Sequence, residues 1–395
     1  MLRVELLQNT VNKCAFRLQD FEKNCDSVMS IATFLSKVDH TFRPFMGRLP
    51  ASLFTRLYSS TRPWFSKKAS NDLIAPIDIP DHLHFQFKHL TFRSRLGNAA
   101  GMYKQAEGYD RAYAQGAGFY LSGTTTSEVR LGNKKNGIHL PFVPYPFSHS
   151  ASNWLGLPND GHKATATKIS RFVRYPHFPI GASMAMDPGM GTESSLRGLL
   201  DGIHAYVDAG CDFLELNESC PNVPGHESNH GVLDKSLLLR LDSIASQFAI
   251  DSIPIFVKFS NDTELNLVPN LLQALIDRGF SGVNFGNTST KYEVHEQSIH
   301  PLDKQHYHYF TTTFGGGISG NIVRSSSTAL VRAAQAFRES QHSKEFMIIA
   351  TGGIETHDDF LQAQHNGADL VQWYTGYYEQ FGLHGNAVYS NMYAD

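Results

Sequence analysis

Four asparagines of this 395-residue chain lie at the ends of predicted strands or in the loops after them: Asn153, Asn217, Asn222 and Asn287. An asparagine head group offers a donor and an acceptor without a net charge, which matches the alternating C=O and N–H edge of a pyrimidine-dione ring. A single asparagine in such a place is commonly a cap or turn residue. Four of them at one end of a fold favour a binding site for a ring of this kind.

A cysteine lies within this polar set. Cys220 stands between Ser219 and Pro221, in the loop after the strand that is predicted to end at Asn217. An isolated cysteine is more often a small buried apolar residue, which is how we interpret Cys211. Cys220 has polar, turn-forming neighbours instead. Its thiolate could take a proton from an sp3 carbon while a hydride leaves the neighbouring carbon for a flavin, and we predict Cys220 as the general base.

Three sets of glycines accompany the last predicted strands: residues 315–317 with Gly320, the pair Gly352 and Gly353, and Gly376 after Thr375. Loops after the seventh and eighth strands of a parallel barrel are a usual phosphate site, because bare backbone N–H groups and a helix N-terminus bind the anion. One glycine pair would carry little weight, but three sets in this order predict a nucleotide-type cofactor. A single compact phosphate site favours FMN over FAD. The glycines predicted to form it are Gly317, Gly320, Gly352, Gly353 and Gly376.

Lys258 ends another predicted strand. It could be a solvated lysine at a strand end. It could also be a cation beside the N1 and C2=O edge of a flavin, where it would stabilise the negative charge of the reduced ring. The predicted phosphate site leads us to favour the second interpretation.

Short apolar runs and helical patterns alternate from about residue 81 onward, and these elements must position the polar residues. The predicted strands are Leu96–Ala100, Phe119–Gly123, Phe178–Ser183, Phe213–Asn217, Ile255–Lys258, Gly282–Asn287, Phe346–Thr351 and Leu370–Thr375. The clearest helical patterns are Leu196–Ala209, Lys235–Ala249, Val268–Arg278, Thr328–Arg338 and Asp358–His365. Eight strands that each feed a helix or a long loop predict an α/β fold, a (β/α)8 TIM barrel, with a doubly wound sheet as the alternative. A hairpin is predicted at residues 84–92, ahead of the barrel.

The first 80 residues have a different pattern and are predicted to form an N-terminal helical extension to the barrel domain of residues 81–395. Pro44, Pro50 and Pro63 are predicted to break it into short helices. Between residues 37 and 68 basic and aromatic side chains alternate, and only Asp39 is acidic. The basic residues are Lys37, Arg43, Arg48, Arg56, Arg62, Lys67 and Lys68. Such a stretch can lie in a membrane interface or pack on the barrel with a solvated basic face; we favour the interface.

Composition excludes several classes of protein. The net charge of −3 and the pI near 6.7 give no basic excess of the kind that points to nucleic acid. Four scattered cysteines cannot form a CxxC metal site or a disulfide framework, so we predict no metal and a reducing compartment. The longest apolar stretch near the start, residues 28–36, is too short to span a bilayer, and no signal-peptide core precedes it. We expect a cytoplasmic protein, at most attached peripherally to a membrane.

Several motifs, in order, resemble the dihydroorotate dehydrogenase family over about residues 81–381. Residues 97–104 (GNAAGMYK) and 119–126 (FYLSGTTT) are similar to the first two strand segments of its membrane-associated class 2. Residues 217–225 (NESCPNVPG) resemble its catalytic loop. Residues 316–320 (GGISG), 350–354 (ATGGI) and 372–376 (QWYTG) look like its FMN phosphate loops.

The resemblance implies an FMN-dependent oxidation of dihydroorotate to orotate in pyrimidine biosynthesis, with a quinone as acceptor. It implies that orotate is bound by Lys104, Asn153, Asn217, Asn222, Asn287 and Thr288. It makes Cys220 the base. It implies that the flavin is bound by Ala100, Gly101, Thr124, Lys258, Gly317, Gly320, Gly352, Gly353, Tyr374, Thr375 and Gly376.

Three positions depart from the class 2 pattern. Cys220 is the base type of the soluble class 1, whereas class 2 members usually carry serine. Ser183 stands where class 2 typically presents an asparagine to the flavin, and Glu218 adds a charge where the loop is usually apolar. A fumarate-linked enzyme is therefore an alternative to a quinone-linked one.

Proteins with different activities share parts of this pattern. A dihydrouridine synthase would need an RNA-binding basic surface, for which only the N-terminal stretch is available. An enzyme of the dihydropyrimidine dehydrogenase type would normally contain iron–sulfur clusters bound by cysteines. The four scattered cysteines of this chain cannot provide the ligands for such clusters. A flavin-binding relative without turnover is the non-enzymatic possibility, with Ser183 and Glu218 as its signs.

Overall fold

Eight parallel strands form the central sheet of the computed structural model, which describes residues 30–72, 74–218, 233, 235–248, 253–343 and 345–393. The strands are β1 (Leu96–Asn98), β2 (Tyr120–Thr125), β3 (Ile180–Met184), β4 (Phe213–Asn217), β5 (Ile255–Phe259), β6 (Gly282–Phe285), β7 (Met347–Thr351) and β8 (Leu370–Trp373). Each overlaps a predicted strand. β8 is shorter than predicted because Thr375 already begins the next helix.

A helix follows every strand of the sheet. Two helices precede the sheet, α1 (Ile31–Met46) and α2 (Ala51–Ser70). The others are α3 (Tyr109–Ala114), α4 (His162–Ile169), α5 (Thr192–Asp208), α6 (Lys235–Gln247), α7 (Val268–Ile276), α8 (Tyr292–Glu296), α9 (Lys304–Thr313), α10 (Arg324–Ser340), α11 (His357–His365), α12 (Thr375–His384) and α13 (Ser390–Tyr393). This order confirms the (β/α)8 barrel and excludes the doubly wound alternative, since sequential strands are neighbours throughout the sheet.

The barrel closes between β1 and β2 with the help of a side chain. Backbone bonds link Gly118 N to Leu96 O (2.8 Å) and Gly123 N to Tyr103 O (2.8 Å). Between them Asn98, which is fully buried, donates from Nδ2 to Leu121 O (2.7 Å) and accepts from Leu121 N (3.1 Å). The asparagine head group thus replaces the missing rungs of the backbone ladder at this seam.

The amino-terminal end of the barrel is closed by the predicted hairpin, whose strands are Phe85–Phe87 and Leu90–Phe92. Phe92 packs edge-on against Phe119, with ring centroids 5.7 Å apart, and inward-facing Phe213 and Phe256 extend this apolar layer. Water is excluded from this end, so polar groups inside the barrel must gather toward the carboxyl ends of the strands.

A small antiparallel sheet covers part of the carboxyl end, and the sequence patterns did not predict it. It joins Phe142–Tyr145 and Ser150–Asn153 to Gly317–Gly320, a segment 164 residues farther along the chain than Asn153 at its nearest. Asn153 lies opposite Gly317 in this register. Two shorter strands, Lys134–Lys135 and Ile138–His139, form a separate hairpin.

The helices α1 and α2 are longer than predicted. Of the three prolines, only Pro50 lies between the two helices. Pro44 lies in the last turn of α1, and Pro63 lies inside α2. The expectation that all three prolines break helices was therefore wrong. Packing of α1 on α12, and of α2 on α9 and strand Phe142–Tyr145, outweighs the hydrogen bond that each internal proline removes.

In the described ranges no helix is both long and apolar enough to cross a membrane.

Candidate active site

A cavity opens at the carboxyl ends of the barrel strands and encloses about 880 Å³, counting its open mouth. Seven of the eight strands contribute to it, directly or through the loop that follows. It is lined by Arg62, Ala99, Ala100, Gly101, Lys104, Thr124, Phe142, Asn153, Leu155, Leu157, Pro158, Asn217, Lys258, Asn287, Thr288, Ser319, Thr351 and Tyr374.

The predicted substrate residues converge on this cavity. Lys104, Asn153, Asn217, Asn287 and Thr288 all line it. They come from four separate segments, at or after the ends of β1, β2, β4 and β6, and they meet because the carboxyl ends of parallel strands lie at the same edge of a barrel. Asn222 lies outside the residues that the structure describes.

Hydrogen bonds fix the orientation of two of these asparagines. Asn217 donates from Nδ2 to Thr124 Oγ1 (2.9 Å), and Asn287 Nδ2 approaches Asn217 Oδ1 at 3.4 Å. Thr124 Oγ1 is in turn 2.8 Å from Ser183 Oγ. Because these side chains hold one another, they present their remaining polar groups to the cavity in a preset arrangement.

Lys258 reaches the floor of the cavity from β5. It is buried, with its Nζ 3.4 Å from Gln372 Oε1 and 3.7 Å from Glu215 Oε1. Burial lowers the pKa of Lys258, and the neighbouring Glu215 counteracts that decrease. The solvated strand-end interpretation of Lys258 was therefore wrong.

The three glycine sets lie together at one side of the cavity. Ser319 Oγ is 2.9 Å from Thr375 Oγ1, which joins the loop of Gly317 and Gly320 to the start of α12. A Cβ on Gly376 would lie 2.0 Å from Ile354 O, and one on Gly317 would lie 2.1 Å from Thr288 Oγ1. Only glycine permits these loops to approach so closely.

The residues next to these glycines connect the loops to the cavity. Ser319, Thr351 and Tyr374 line it, and they precede Gly320, Gly352 and Thr375 in the chain. Gly352 and Gly353 have φ angles of 116° and 78°, which favour glycine. The first turn of α12 begins here, so its N–H groups are available to an anion. The donor set fits the phosphate and ring of a flavin mononucleotide.

Comparisons with known proteins agree with this arrangement. The profile of the family described as dihydroorotate dehydrogenase matches residues 82–386. The chain belongs to the dihydroorotate dehydrogenase family. A protein of Nostoc punctiforme named dihydroorotate dehydrogenase (quinone) is 26% identical over 351 residues, which cover 88% of both chains. One of the same name from Dichelobacter nodosus is 28% identical over 72% of this chain and 80% of its own.

Solved structures of similar fold include the dihydroorotate dehydrogenase of Eimeria tenella. In its ligand-free form it matches with a TM-score of 0.69 at 22% identity, over 85% of this chain and 92% of that one. The complex with ferulenol gives a TM-score of 0.65 at 21% identity. Membership of the family makes the chain an oxidoreductase that acts on dihydroorotate.

Cys220, the base expected for a dihydroorotate dehydrogenase of class 1, lies outside the described residues, as does most of the loop that carries it. Glu218, at the start of that loop, is described. Its carboxylate forms an ion pair with Arg240 of α6, with Glu218 Oε2 2.6 Å from Nη2 and Oε1 3.1 Å from Nε. Side chains alternate along a strand, so Asn217 faces the cavity while Glu218 faces the helices.

Ser183, the other departure from the class 2 pattern, lies below the cavity. It is fully buried and donates to Glu215 Oε1 (3.1 Å). In this protein the position therefore belongs to a polar layer beneath the cavity, and Ser183 is absent from the lining.

Sequence reasoning missed Arg62 as a cavity residue. Arg62 extends from α2, hydrogen-bonds the hydroxyl of Tyr374, and lies 5.2 Å above the ring of Phe142. The sequence placed it with the membrane-facing basic residues, but tertiary packing turns it inward. Arg43 is also buried, where it pairs with Asp39 and Glu379. No local pattern distinguishes these two arginines from their exposed neighbours.

Proposed function

We propose that this protein oxidises dihydroorotate to orotate with FMN as its cofactor and a quinone as the electron acceptor. The single observation that carries the proposal is the cavity in which Lys104, Asn153, Asn217 and Asn287 meet Lys258 beside the glycine loops. A substrate stacked on a flavin requires three groups of residues close together: polar side chains that bind the substrate ring, a cation beside the flavin ring, and an anion site for the flavin phosphate. Relatives named dihydroorotate dehydrogenase (quinone) support the acceptor.

The proposed roles follow from the chemistry of each group. Asparagine amides pair with the C=O and N–H groups of the substrate ring, and Lys104 offers a cation to its carboxylate. Cys220 takes the proton from the sp3 carbon next to the one that loses hydride. FMN supplies the two-electron acceptor for that hydride. Lys258 offers its positive charge to the ring edge where negative charge develops on reduction.

The acceptor is proposed to reach the cavity along the side of α2. Phe142, Leu155, Leu157 and Pro158 give this part of the lining an apolar character, and Arg62 adds one cation. An apolar ring with carbonyl oxygens, such as a quinone, has matching chemistry. Fumarate, which is small and doubly charged, matches it less well.

A membrane surface is the proposed source of the acceptor. On α1 the side chains of Ile31, Phe34, Val38, Phe42 and Phe45 form one exposed apolar stripe at helical spacing. Leu53 and Trp64 of α2 are also exposed. Exposed apolar groups next to basic ones such as Lys37 and Arg48 suit an interface with anionic lipids.

The test is turnover with defined oxidants. Purified protein with FMN is expected to reduce a short-chain quinone with dihydroorotate as the donor, and to show much slower turnover with fumarate. Release of the bound flavin and chromatography identifies it as FMN or FAD. Recovery of FAD, or turnover with fumarate alone, would contradict the corresponding part of the proposal.

A further inference from the structure

A carboxylate lies inside the barrel directly beneath the cavity. Glu215 is two residues before Asn217 on β4, so both side chains face inward, in successive layers. Its side chain is 1% exposed. The described part of the cavity lining does not include Glu215, and no step proposed above uses it.

Every oxygen of this carboxylate has partners. Oε2 accepts from Asn284 Nδ2 (2.7 Å) and Gln372 Nε2 (2.9 Å). Oε1 accepts from Ser183 Oγ (3.1 Å) and lies 3.7 Å from Lys258 Nζ. Gln372 Oε1 also accepts from Thr351 Oγ1 (3.1 Å), so the network reaches the cavity wall at β7.

The ammonium group of Lys258 depends on this network. A lysine with 2% of its side chain exposed loses most of its hydration, which favours the neutral amine. Among the described residues, Glu215 is the negative charge that the structure pairs with it. Gln372 Oε1, at 3.4 Å, is a further acceptor that Asn284 and Thr351 hold in place.

We propose that Glu215 is a positioning residue for the cofactor, which keeps Lys258 charged and aims its ammonium group at the flavin ring from below. The inference rests on the proposed function, because it takes the ligand above Lys258 to be FMN. Glu215 acts through Lys258 and does not touch the substrate. The network of Ser183, Asn284 and Gln372 fixes the carboxylate so that it holds the lysine in one place.

The direction in which the reduction potential of the flavin changes distinguishes this indirect role of Glu215 from a direct electrostatic effect of its charge on the flavin. Removing a negative charge near a flavin should favour the anionic reduced ring and raise its reduction potential. If Glu215 instead keeps Lys258 charged, its removal also removes the cation next to the ring. The potential then falls although a negative charge has been deleted.

The experiment compares the two-electron reduction potential of bound FMN in the wild type and in Glu215→Gln, Lys258→Met and the double variant. Lys258→Met is expected to weaken binding of reduced relative to oxidised flavin by about tenfold, or about 30 mV for a two-electron couple. Glu215→Gln is expected to lower the potential in the same direction. The double variant should fall no lower than Lys258→Met. Glu215→Asp, which keeps the charge, should restore at least half of the loss.

A second readout needs no flavin. In flavin-free protein each single variant leaves one buried ionisable group without its partner, so that the group either stays charged in the interior or is forced into its neutral form, whereas the double variant leaves none. The double variant is therefore expected to unfold at a higher temperature than either Glu215→Gln or Lys258→Met. Additive losses of stability would contradict the pairing.

The outcomes separate the two claims. A raised or unchanged potential in Glu215→Gln, with the expected fall in Lys258→Met, would overturn the role of Glu215 and leave the proposed function intact. A wild-type potential in Lys258→Met would overturn the placement of Lys258 beside the flavin ring, and this inference with it. A wild type that binds no FMN would overturn the cofactor assignment as well.

Discussion

At the scale of single residues, the general base can be assigned by comparing Cys220 with Glu218. The ion pair between Glu218 and Arg240 holds that carboxylate on the helix side of β4, away from the cavity. A thiol begins near pKa 8.5, so Cys220 reaches its basic form with little help. Cys220→Ala is expected to slow flavin reduction by about 10²–10⁴-fold, while Glu218→Gln stays within a few-fold of the wild type. Stopped-flow reduction by dihydroorotate measures both.

Orotate binding serves as the control for these variants, because the asparagines remain in place and should bind the product normally. Cys220→Ser should keep part of the rate, with its pH dependence moved upward. If Glu218→Gln were severely impaired and Cys220→Ala were nearly normal, the assignment of the base would be wrong.

Arg62 gives a second prediction at this scale. Its guanidinium group hydrogen-bonds Tyr374 at the cavity edge, where the acceptor is proposed to enter. A hydrogen bond from this guanidinium group to a quinone carbonyl would contribute about 1.5–3 kcal/mol, so Arg62→Ala should lower kcat/KM for a quinone by about 10–100-fold. Flavin reduction by dihydroorotate should not change.

Arg56 provides the matched control for Arg62. It lies on the same helix but is exposed, and its guanidinium group makes a 3.5 Å contact with Asn136 O. Arg56→Ala should reduce quinone at the wild-type rate. Equal losses in the two variants would show that the effect comes from the surface charge of α2.

Residue types at strand ends could be predicted from the sequence, but partnerships across the barrel could not. Asn153, Asn217, Asn287 and Lys258 were identified because each lies at or after the end of an apolar run. Glu215 carried a signal that went unused, since a charge at an inward position of a buried strand requires a partner. Its actual partners, on β3, β5, β6 and β8, depend on barrel closure and have no local pattern.

At the scale of the elements, α4 begins with a buried histidine. His162 Nδ1 is 2.8 Å from Thr125 Oγ1 of β2, which is itself 2.6 Å from the hydroxyl of Tyr206 on α5. Burial lowers the pKa of His162 from 6.5 to about 4. The packing of α4 and α5 on β2 therefore requires the neutral ring.

The pH dependence of stability follows from that shift. Below pH 6.5 the unfolded chain binds a proton at His162 that the folded protein does not, so the folded state loses stability as the pH falls. The loss grows until about pH 4 and amounts to about 3 kcal/mol. His162→Gln should unfold with a flatter pH profile between these values. Denaturant titrations at several pH values test this, and an unchanged slope would contradict it.

Sequence patterns predicted all eight barrel strands but not the small antiparallel sheet, and the reason lies in how local the signals are. The barrel strands are apolar runs followed by helical patterns, and these local signals agree with the final fold. Strand Gly317–Gly320 is glycine-rich and pairs with Ser150–Asn153, far away in the chain. The glycines of this strand indicate that another part of the backbone comes close to it, but only the tertiary structure shows that this part is Ser150–Asn153.

At the scale of the whole molecule, the stripe on α1 gives a prediction about membranes. Replacing Phe34, Phe42 and Phe45 by serine together removes exposed apolar area and leaves the buried face of α1 unchanged. Binding to vesicles that contain anionic lipid should weaken by about tenfold or more. Turnover with a water-soluble quinone should be preserved.

The matched control removes exposed apolar groups elsewhere. Leu131 and Val173 are 80% and 76% exposed and lie outside α1 and α2. Serine at both positions should leave vesicle binding unchanged. If the two sets of changes weakened binding equally, the stripe would not be a specific membrane surface.

The central claim, that this molecule transfers electrons from dihydroorotate to a flavin held over Lys258, is tested most directly by an anaerobic titration. Flavin-loaded protein is mixed with dihydroorotate in the absence of oxygen and any other acceptor, and flavin absorbance is followed. Bleaching of the flavin is expected, with one equivalent of orotate formed per flavin, and the colour should return when a quinone is added. Flavin that stays oxidised with excess dihydroorotate would contradict this electron transfer.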